Sequence, residues 1–559
     1  MSRFQWIVLL IVCLLAFVLR IYRIDSVPPH PSLDEVSIGY NAFSIIKTGA
    51  DEYGNKFPIL LRAYDDWRPA LYVYLVIPFI KVLGLTVVSV RLPSVILSII
   101  SVFITFFLVR ELLKKDKKKE QVSYWISIAS AFLLAISPWH IYVSRLGHEV
   151  NASLSFLILG IYFFMYFINR VNDVKRDFFT RYSILVSSVF FALSFSSYQS
   201  TKIVAPAIVI ILSVIYLKQL WSKKRLVVLA VILGVVVSLP ILISILSPDA
   251  LIRYKGTNVF TSNQKLLEES SKTLLKEKEK GNLVGQVLSN RRFVYLKVFS
   301  QAYFSHFTID FLFGNSGSDP FKAPNSGLLY FFEIPILIIG LFFLKQYLKR
   351  CIFVVFWILA AIVPAAITTG YPHAMRAFSV IPSPQIIGAI GLIVLVDTVL
   401  KIRVLLLKVI LCGIFIFVIT YSSMQFMYNY FYLLPTSISN QFQYGVVSAM
   451  KYAKSSENNY QKIVVSDKGD LAQSYMYYLF VNKYDPSLYQ KNGGTISAGF
   501  DKEHKIGRYV FMDPTKYKID TQKTLFIVDS GEESRIHARK ISQILYLDNS
   551  PAISILEAN

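Results

Sequence analysis

Two adjacent carboxylates, Asp34 and Glu35, follow a long apolar block and open an amphipathic stretch that runs through Gly39, Tyr40 and Asn41 to Gly49. A carboxylate held there can accept a proton from a hydroxyl. Acidic residues also suit a helix N-terminus through capping and the macrodipole, so the pair fits a purely structural role as well. Four further clusters stand at the ends of apolar blocks: Asp65-Asp66-Trp67-Arg68-Pro69, Ser144-Arg145-Leu146-Gly147-His148-Glu149, Ser197-Tyr198-Gln199-Ser200-Thr201-Lys202 and Tyr371-Pro372-His373-Ala374-Met375-Arg376. Arg68, Arg145, Lys202 and Arg376 are the cations a lipid-linked phosphate would need. Such residues also snorkel to headgroups. Glu149 supplies a third carboxylate. Asp66, His148, Tyr198 and His373 complete a mixed-charge pocket. His306 lies in Tyr303-Phe304-Ser305-His306. With Asp66 or His148 and a further carboxylate it leaves a divalent metal ion open as a cofactor, although no ligand spacing demands one.

These clusters need elements that bring them together, and the composition says which. Hydrophobic residues make up 54% of the 559, and the mean hydropathy is +0.50. That is far more apolar than a soluble domain. Apolar blocks fall at 4–22, 69–84, 87–113, 122–143, 150–169, 183–200, 203–217, 226–246, 328–344, 351–369, 379–398 and 404–421, most near the length of a membrane span. The fold class is therefore an all-α polytopic membrane protein. The formal net charge of +23 does not signal nucleic acid, because the cations sit in short clusters between apolar blocks. Lys114, Lys115, Lys117, Lys118 and Lys119 form one such cluster; Lys175, Arg176 and Arg181 another; Lys218, Lys223, Lys224 and Arg225 a third; Lys345, Lys349 and Arg350 a fourth; and Lys401 and Arg403 a fifth.

Placing these clusters inside fixes the parity. Block 69–84, with Pro78 and Lys81, then lies at the outer interface instead of crossing. About eleven spans result, with an uncleaved first helix, a cytoplasmic N-terminus and an outward tail. The expected division is 1–421 as the transmembrane domain, with outside loops 23–86 and 247–327, and 422–559 as a small extracytoplasmic α/β domain. In that tail 462–466, 508–512 and 525–529 read as buried strands, and 441–455 and 470–480 as helices. Cys13, Cys351 and Cys412 all lie in apolar blocks and imply no disulfide framework.

The ordered series of motifs resembles the family 39 glycosyltransferases, the protein O-mannosyltransferase and aminoarabinose-transferase group with the GT-C fold. The matching pieces are Asp34-Glu35, the turn Gly49-Ala50-Asp51-Glu52-Tyr53-Gly54, Arg68-Pro69-Ala70-Leu71-Tyr72-Val73-Tyr74, Arg91-Leu92-Pro93-Ser94, Ser137-Pro138-Trp139-His140, Arg145 to Glu149, and His373-Ala374-Met375-Arg376. The resemblance covers roughly 1–421; the tail matches nothing. It implies transfer of a sugar from a polyprenyl-phosphate donor to a hydroxyl of a glycan, lipid or protein acceptor, on the outer face and with inversion. Asp34 would be the base, with Glu35 and Glu149 beside it. Arg68 would stand on the donor phosphate, and Tyr72 would join the pocket. Membrane lipid is the implied surrounding partner, a bacterial plasma membrane the expected location, and nucleic acid is not a partner.

Two other readings compete. A transporter or flippase of lipid-linked glycans would carry charges within its spans and paired interrupted helices, whereas here the charges gather at one face. A non-catalytic glycan-binding scaffold would release no polyprenyl phosphate from any donor.

Overall fold

The computed structural model of the chain describes residues 2–64, 66–113, 120–172, 178–245, 258, 264–314, 321–348, 350–496, 504–518 and 523–558. Asp65, the lysines between 114 and 119, Lys175, Arg176 and Lys349 lie outside the described residues. Chain contacts divide the protein into two compact units: 1–19, 97–143 and 150–425 form the first, and 20–96, 144–149 and 426–559 the second.

The chain is a multi-pass membrane protein. Among the described residues seven helices are long and apolar enough to cross a bilayer: Arg3–Ile21, Val87–Leu112, Glu149–Asn169, Phe178–Phe195, Lys224–Ile245, Ser383–Leu400 and Leu405–Ser437. Glu120–Ile136 and Pro138–Ser144 pass the same test together, bent by 56°. The break falls at Ser137-Pro138, where proline disfavours continuation of the preceding turn. Leu71–Leu83, Thr201–Ile215 and Ile352–Ala366 are shorter apolar helices. Leu71–Leu83 has 13 residues, hence about 20 Å of length at 1.5 Å per residue, too little for the hydrocarbon core. Lys224–Ile245 leaves Val228, Val231, Ile232, Val235, Val236, Leu239 and Ile243 exposed, which fits lipid as the surrounding medium.

In the first unit, small residues let the helices approach closely. Glu333–Tyr347 packs on Ser383–Leu400. A Cβ on Gly340 would stand 1.9 Å from the Ile387 carbonyl oxygen, and one on Gly391 1.8 Å from that of Ile336. Serines then join helices by hydrogen bonds: Ser101 Oγ donates to Ser155 Oγ at 2.8 Å, Ser187 to the Gly160 carbonyl at 2.7 Å, and Ser194 to the Ser153 carbonyl at 2.8 Å.

The second unit contains the helix Leu33–Thr48, the antiparallel hairpin of β1 (Leu60–Ala63) and β2 (Asp66–Pro69), and the tail sheet. That sheet has six strands: β3 (Lys462–Val465), β4 (His504–Ile506), β5 (Tyr509–Phe511), β6 (Thr524–Asp529), β7 (Arg539–Leu545) and β8 (Pro551–Ala558). Their order is β4-β5-β3-β6-β8-β7, with β3 parallel to both β5 and β6 and the outer pairs antiparallel. Val464, Phe526, Val528 and Leu556 form its core. The three apolar runs expected as strands are β3, β5 and β6. Val446–Ser455 and Ser474–Val481 stand where the tail helices were expected.

Candidate active site

Asp34 sits in the first turn of Leu33–Thr48, and the turn is fixed from both sides. Ser32 is the N-cap: its hydroxyl accepts from the Glu35 N–H at 3.3 Å, while the Glu35 carboxylate accepts from the Ser32 N–H at 2.8 Å. This is a reciprocal capping box. Gly49 ends the helix at φ 73°, a left-handed conformation that glycine adopts without strain.

The neighbouring acids take different environments. Glu35 is buried, and its two oxygens accept four donors. Arg91 binds it twice, Nε at 2.7 Å and Nη2 at 3.0 Å, and the Gly147 N–H at 2.8 Å and the Ser32 N–H complete the set. Burial opposes its ionisation. The Arg91 charge and these hydrogen bonds outweigh burial and hold the carboxyl below its ordinary range. Arg91 also donates to the carbonyls of Ile24, Pro28 and His30. Glu35 thus tethers the helix start and segment 144–149 to Arg91, and its lone pairs are taken. This differs from the expectation that it shares the chemistry with Asp34.

Asp34 turns outward, with 51% of its side chain exposed, beside an Arg68 side chain that is 5% exposed. Arg68 Nη1 donates to Asp34 Oδ1 at 2.8 Å, and Nη2 to Ser37 Oγ at 2.9 Å. Burial pulls the Arg68 proton affinity down; the carboxylates of Asp34 and Glu149 outweigh it and hold the guanidinium charged above its usual range. His148 bridges the two acids, its Nε2 3.8 Å from Asp34 Oδ2 and its Nδ1 3.3 Å from Glu149 Oε2. Asp66 adds negative field to Arg68, and one of its oxygens accepts from the Trp67 N–H at 2.8 Å. Asp34, Arg68, Asp66, His148 and Glu149 are therefore one cluster. It joins a solvent-reachable carboxylate, a buried guanidinium and an imidazole.

The other expected residues have partners of their own. Tyr72 is buried and donates to the Val90 carbonyl at 2.9 Å. Arg145 does not present itself for a phosphate. Its guanidinium donates to the carbonyls of Arg20 at 2.7 Å, Arg23 at 3.2 Å and Val27 at 2.9 Å and to the Tyr430 hydroxyl at 3.2 Å, and it faces the Tyr430 and Phe431 rings. Tyr198, Lys202, His306, His373 and Arg376 belong to the first unit. Tyr198 is buried, and Lys202 is the second residue of the helix Thr201–Ile215. Arg376 donates to Thr368 Oγ1 at 2.9 Å and to the Thr369 carbonyl.

Both nitrogens of His306 are engaged: Nδ1 lies 2.8 Å from the Ala302 carbonyl, and Nε2 accepts from the His373 N–H at 3.2 Å. An imidazole in that state offers no lone pair to a metal. Among the described residues no group of three or more His, Cys, Asp or Glu is arranged to hold a metal ion.

Several contributors escaped the sequence reading. Ser37 supports Arg68. Tyr64 donates to the Leu33 carbonyl at 2.8 Å, and Tyr477 from the tail donates to the Pro31 carbonyl at 2.9 Å, so two tyrosines grip the chain around Asp34. The spacing Ser32-x-x-Glu35 was a signal for the capping role of Glu35.

Residues 68–243 match the dolichyl-phosphate-mannose-protein mannosyltransferase family. That stretch includes Arg68, Tyr72, Arg145, His148, Glu149, Tyr198 and Lys202 and begins after Asp34. No curated protein matches the chain by sequence. By structure the chain resembles ArnT from Cupriavidus metallidurans bound to undecaprenyl phosphate, with a TM-score of 0.53 and 9% identity, covering 100% of this chain and 98% of that one. It also resembles the archaeal oligosaccharyltransferase AglB from Archaeoglobus fulgidus in complex with an inhibitory peptide and a dolichol-phosphate, with a TM-score of 0.52 and 13% identity, covering 95% of this chain and 70% of that one. The fold is GT-C-like, as the motif series implied, with a small C-terminal sheet domain.

Proposed function

We propose that this GT-C-fold chain transfers a sugar from a polyprenyl-phosphate donor to an acceptor hydroxyl, with Asp34 as general base and Arg68 as the cation on the donor phosphate. The observation that carries the reading is the pairing of a half-exposed Asp34 with a buried Arg68 at 2.8 Å. A carboxylate in that embrace is a weak base. A donor phosphate that takes over the guanidinium releases it, so the base is freed as the substrate arrives. The acceptor O–H then gives its proton to Asp34, and its oxygen bonds to the anomeric carbon. The bond from that carbon to the phosphate oxygen breaks, and the electron pair leaves on polyprenyl phosphate, which Arg68 neutralises. One displacement inverts the anomeric centre. His148, set between Asp34 and Glu149, holds the base in register.

The undecaprenyl phosphate and dolichol-phosphate bound in the similar structures support the donor class. The apolar surface of the spans suits a donor whose tail stays in lipid. On this reading the reaction takes place on the outer face, and the acceptor belongs to a glycan, a lipid or a protein. The test is release of polyprenyl phosphate by purified protein given a polyprenyl-phosphate sugar pool and an envelope acceptor extract. Release that disappears in Asp34→Asn at unchanged expression is expected. Equal release by the variant would remove Asp34 as base, and no release by the wild type would remove the function.

A further inference from the structure

The turn after the Asp34 helix holds a second buried carboxylate that the transfer chemistry does not use. Glu52 is fully buried. Asn41 Nδ2 donates to its Oε1 at 3.2 Å, and the hydroxyls of Tyr475 and Thr495 stand 3.2 and 2.8 Å from its Oε2. Asn41 is on the Asp34 helix; Tyr475 and Thr495 are in the tail, more than 420 residues on. The backbone approaches too. The Thr495 N–H points to the Glu52 carbonyl at 3.4 Å, and a Cβ on Gly494 would come within 2.9 Å of that oxygen. Beside this contact the Gln490 amide donates to Ser44, Thr48 and the Asp51 carbonyl.

We propose that Glu52, as an uncharged carboxyl group, is the clasp that docks tail residues 474–496 onto the helix carrying Asp34. On the transferase reading, on which this part rests, it is a positioning residue that acts through that helix. The groups around it are the reason. Its partners are neutral amide and hydroxyl groups, and the charged group that acts on it is Asp51, of like sign. Tyr40 on the Asp34 helix, Tyr64 in the hairpin, Tyr475 on Ser474–Val481 and Tyr489 on Pro486–Lys491 face it. His504 on β4 stacks on Tyr475, and Arg62 lies over Tyr53. A hydroxyl can accept as well as donate, so a protonated Glu52 is satisfied where it stands.

Burial first, opposed by the hydrogen bonds from Asn41, Thr495 and Tyr475, pushes its titration up to about 7. The docked state therefore binds the proton more tightly than the undocked one. The part of docking that depends on this proton is full below the ordinary carboxyl range, weakens as pH rises, and is gone above about 7. His30, another titratable group against the tail, accepts from the Val447 N–H and is held down to about 4 by burial, so it stays neutral throughout.

The test is hydrogen exchange of peptides covering 474–491 in the full chain in lipid nanodiscs, corrected for intrinsic rates, at pH 6 and pH 8.5. Wild-type protection is expected to fall about tenfold between the two, whereas Glu52→Gln keeps equal protection. Constant wild-type protection, or the same fall in Glu52→Gln, overturns the clasp. If Glu52→Gln does not fold, Thr495→Val should lower protection at pH 6; unchanged protection overturns it as well. Release of polyprenyl phosphate read in parallel should decline with pH in the wild type and stay flat in Glu52→Gln. A wild type that shows the exchange pattern but no release at any pH keeps the clasp and sinks the transferase reading instead.

Discussion

Asp34 and Arg68 make a contact of 2.8 Å in which the acid is half exposed and the base almost wholly enclosed. The asymmetry matters. The guanidinium is fixed by Ser37 and its surroundings, whereas the carboxylate has room to exchange partners.

Substitution of the acid is the first consequence. Asp34→Asn removes the proton acceptor at constant volume and should lower the transfer rate by about 10²–10⁴-fold, the usual range for a positioned general base. Single-turnover release of polyprenyl phosphate measures it. A rate within a few-fold of wild type sinks the assignment.

Arg68 should behave differently under two replacements. Arg68→Gln removes the charge from the leaving phosphate and should cost about 2–4 kcal/mol in kcat/KM. Arg68→Lys keeps the charge but not the planar fork and should recover part of the loss. Equal damage by both would argue for a packing role alone.

Glu35 is predicted to act on stability first. Glu35→Gln leaves Arg91 buried without its counter-charge, which typically costs about 3–5 kcal/mol. Because its carboxyl is held below the ordinary range in the folded state, the stability it contributes is present above about pH 4.5 and disappears as pH falls below that. Thermal unfolding of wild type and variant should therefore converge in acid. A constant gap across pH contradicts the ion pair.

Gly147 is the site of a steric prediction. A Cβ there would lie 2.9 Å from the Val90 carbonyl oxygen and 2.7 Å from a Val90 methyl. Gly147→Ala should displace the N–H that reaches Glu35 and, with it, His148 and Glu149. Lower activity with near-normal donor KM is expected. Wild-type kinetics would show that the segment adjusts freely.

Much of the architecture is written in hydropathy. The blocks at 87–113 and 226–246 are the helices Val87–Leu112 and Lys224–Ile245 to within two residues. The block at 122–143 is instead broken at Ser137-Pro138, where a proline signal was submerged in an apolar run. In the tail, apolar β3, β5 and β6 could be read, but β7 could not. It is an edge strand, Arg539-Lys540-Ile541-Ser542-Gln543-Ile544-Leu545, largely exposed, and its partner β8 is needed to define it. Side-chain roles were harder to read. Arg68 and Arg145 are the same residue type at similar distances from apolar blocks. One holds an exposed carboxylate, while the other is enclosed by backbone carbonyls of segment 20–27. That difference is decided by partners more than 30 and more than 100 residues away, which no local pattern encodes.

The second compact unit draws on both an early and a late part of the chain. Translation proceeds in one direction, so the helix with Asp34 leaves the ribosome long before Tyr475 and Tyr477 exist to seat it. The unit must wait, half assembled, while the intervening helices are inserted. Its maturation is a late event that depends on closing loops of more than 400 residues. A nascent chain arrested anywhere in the bundle would carry the acid without the walls that shape it.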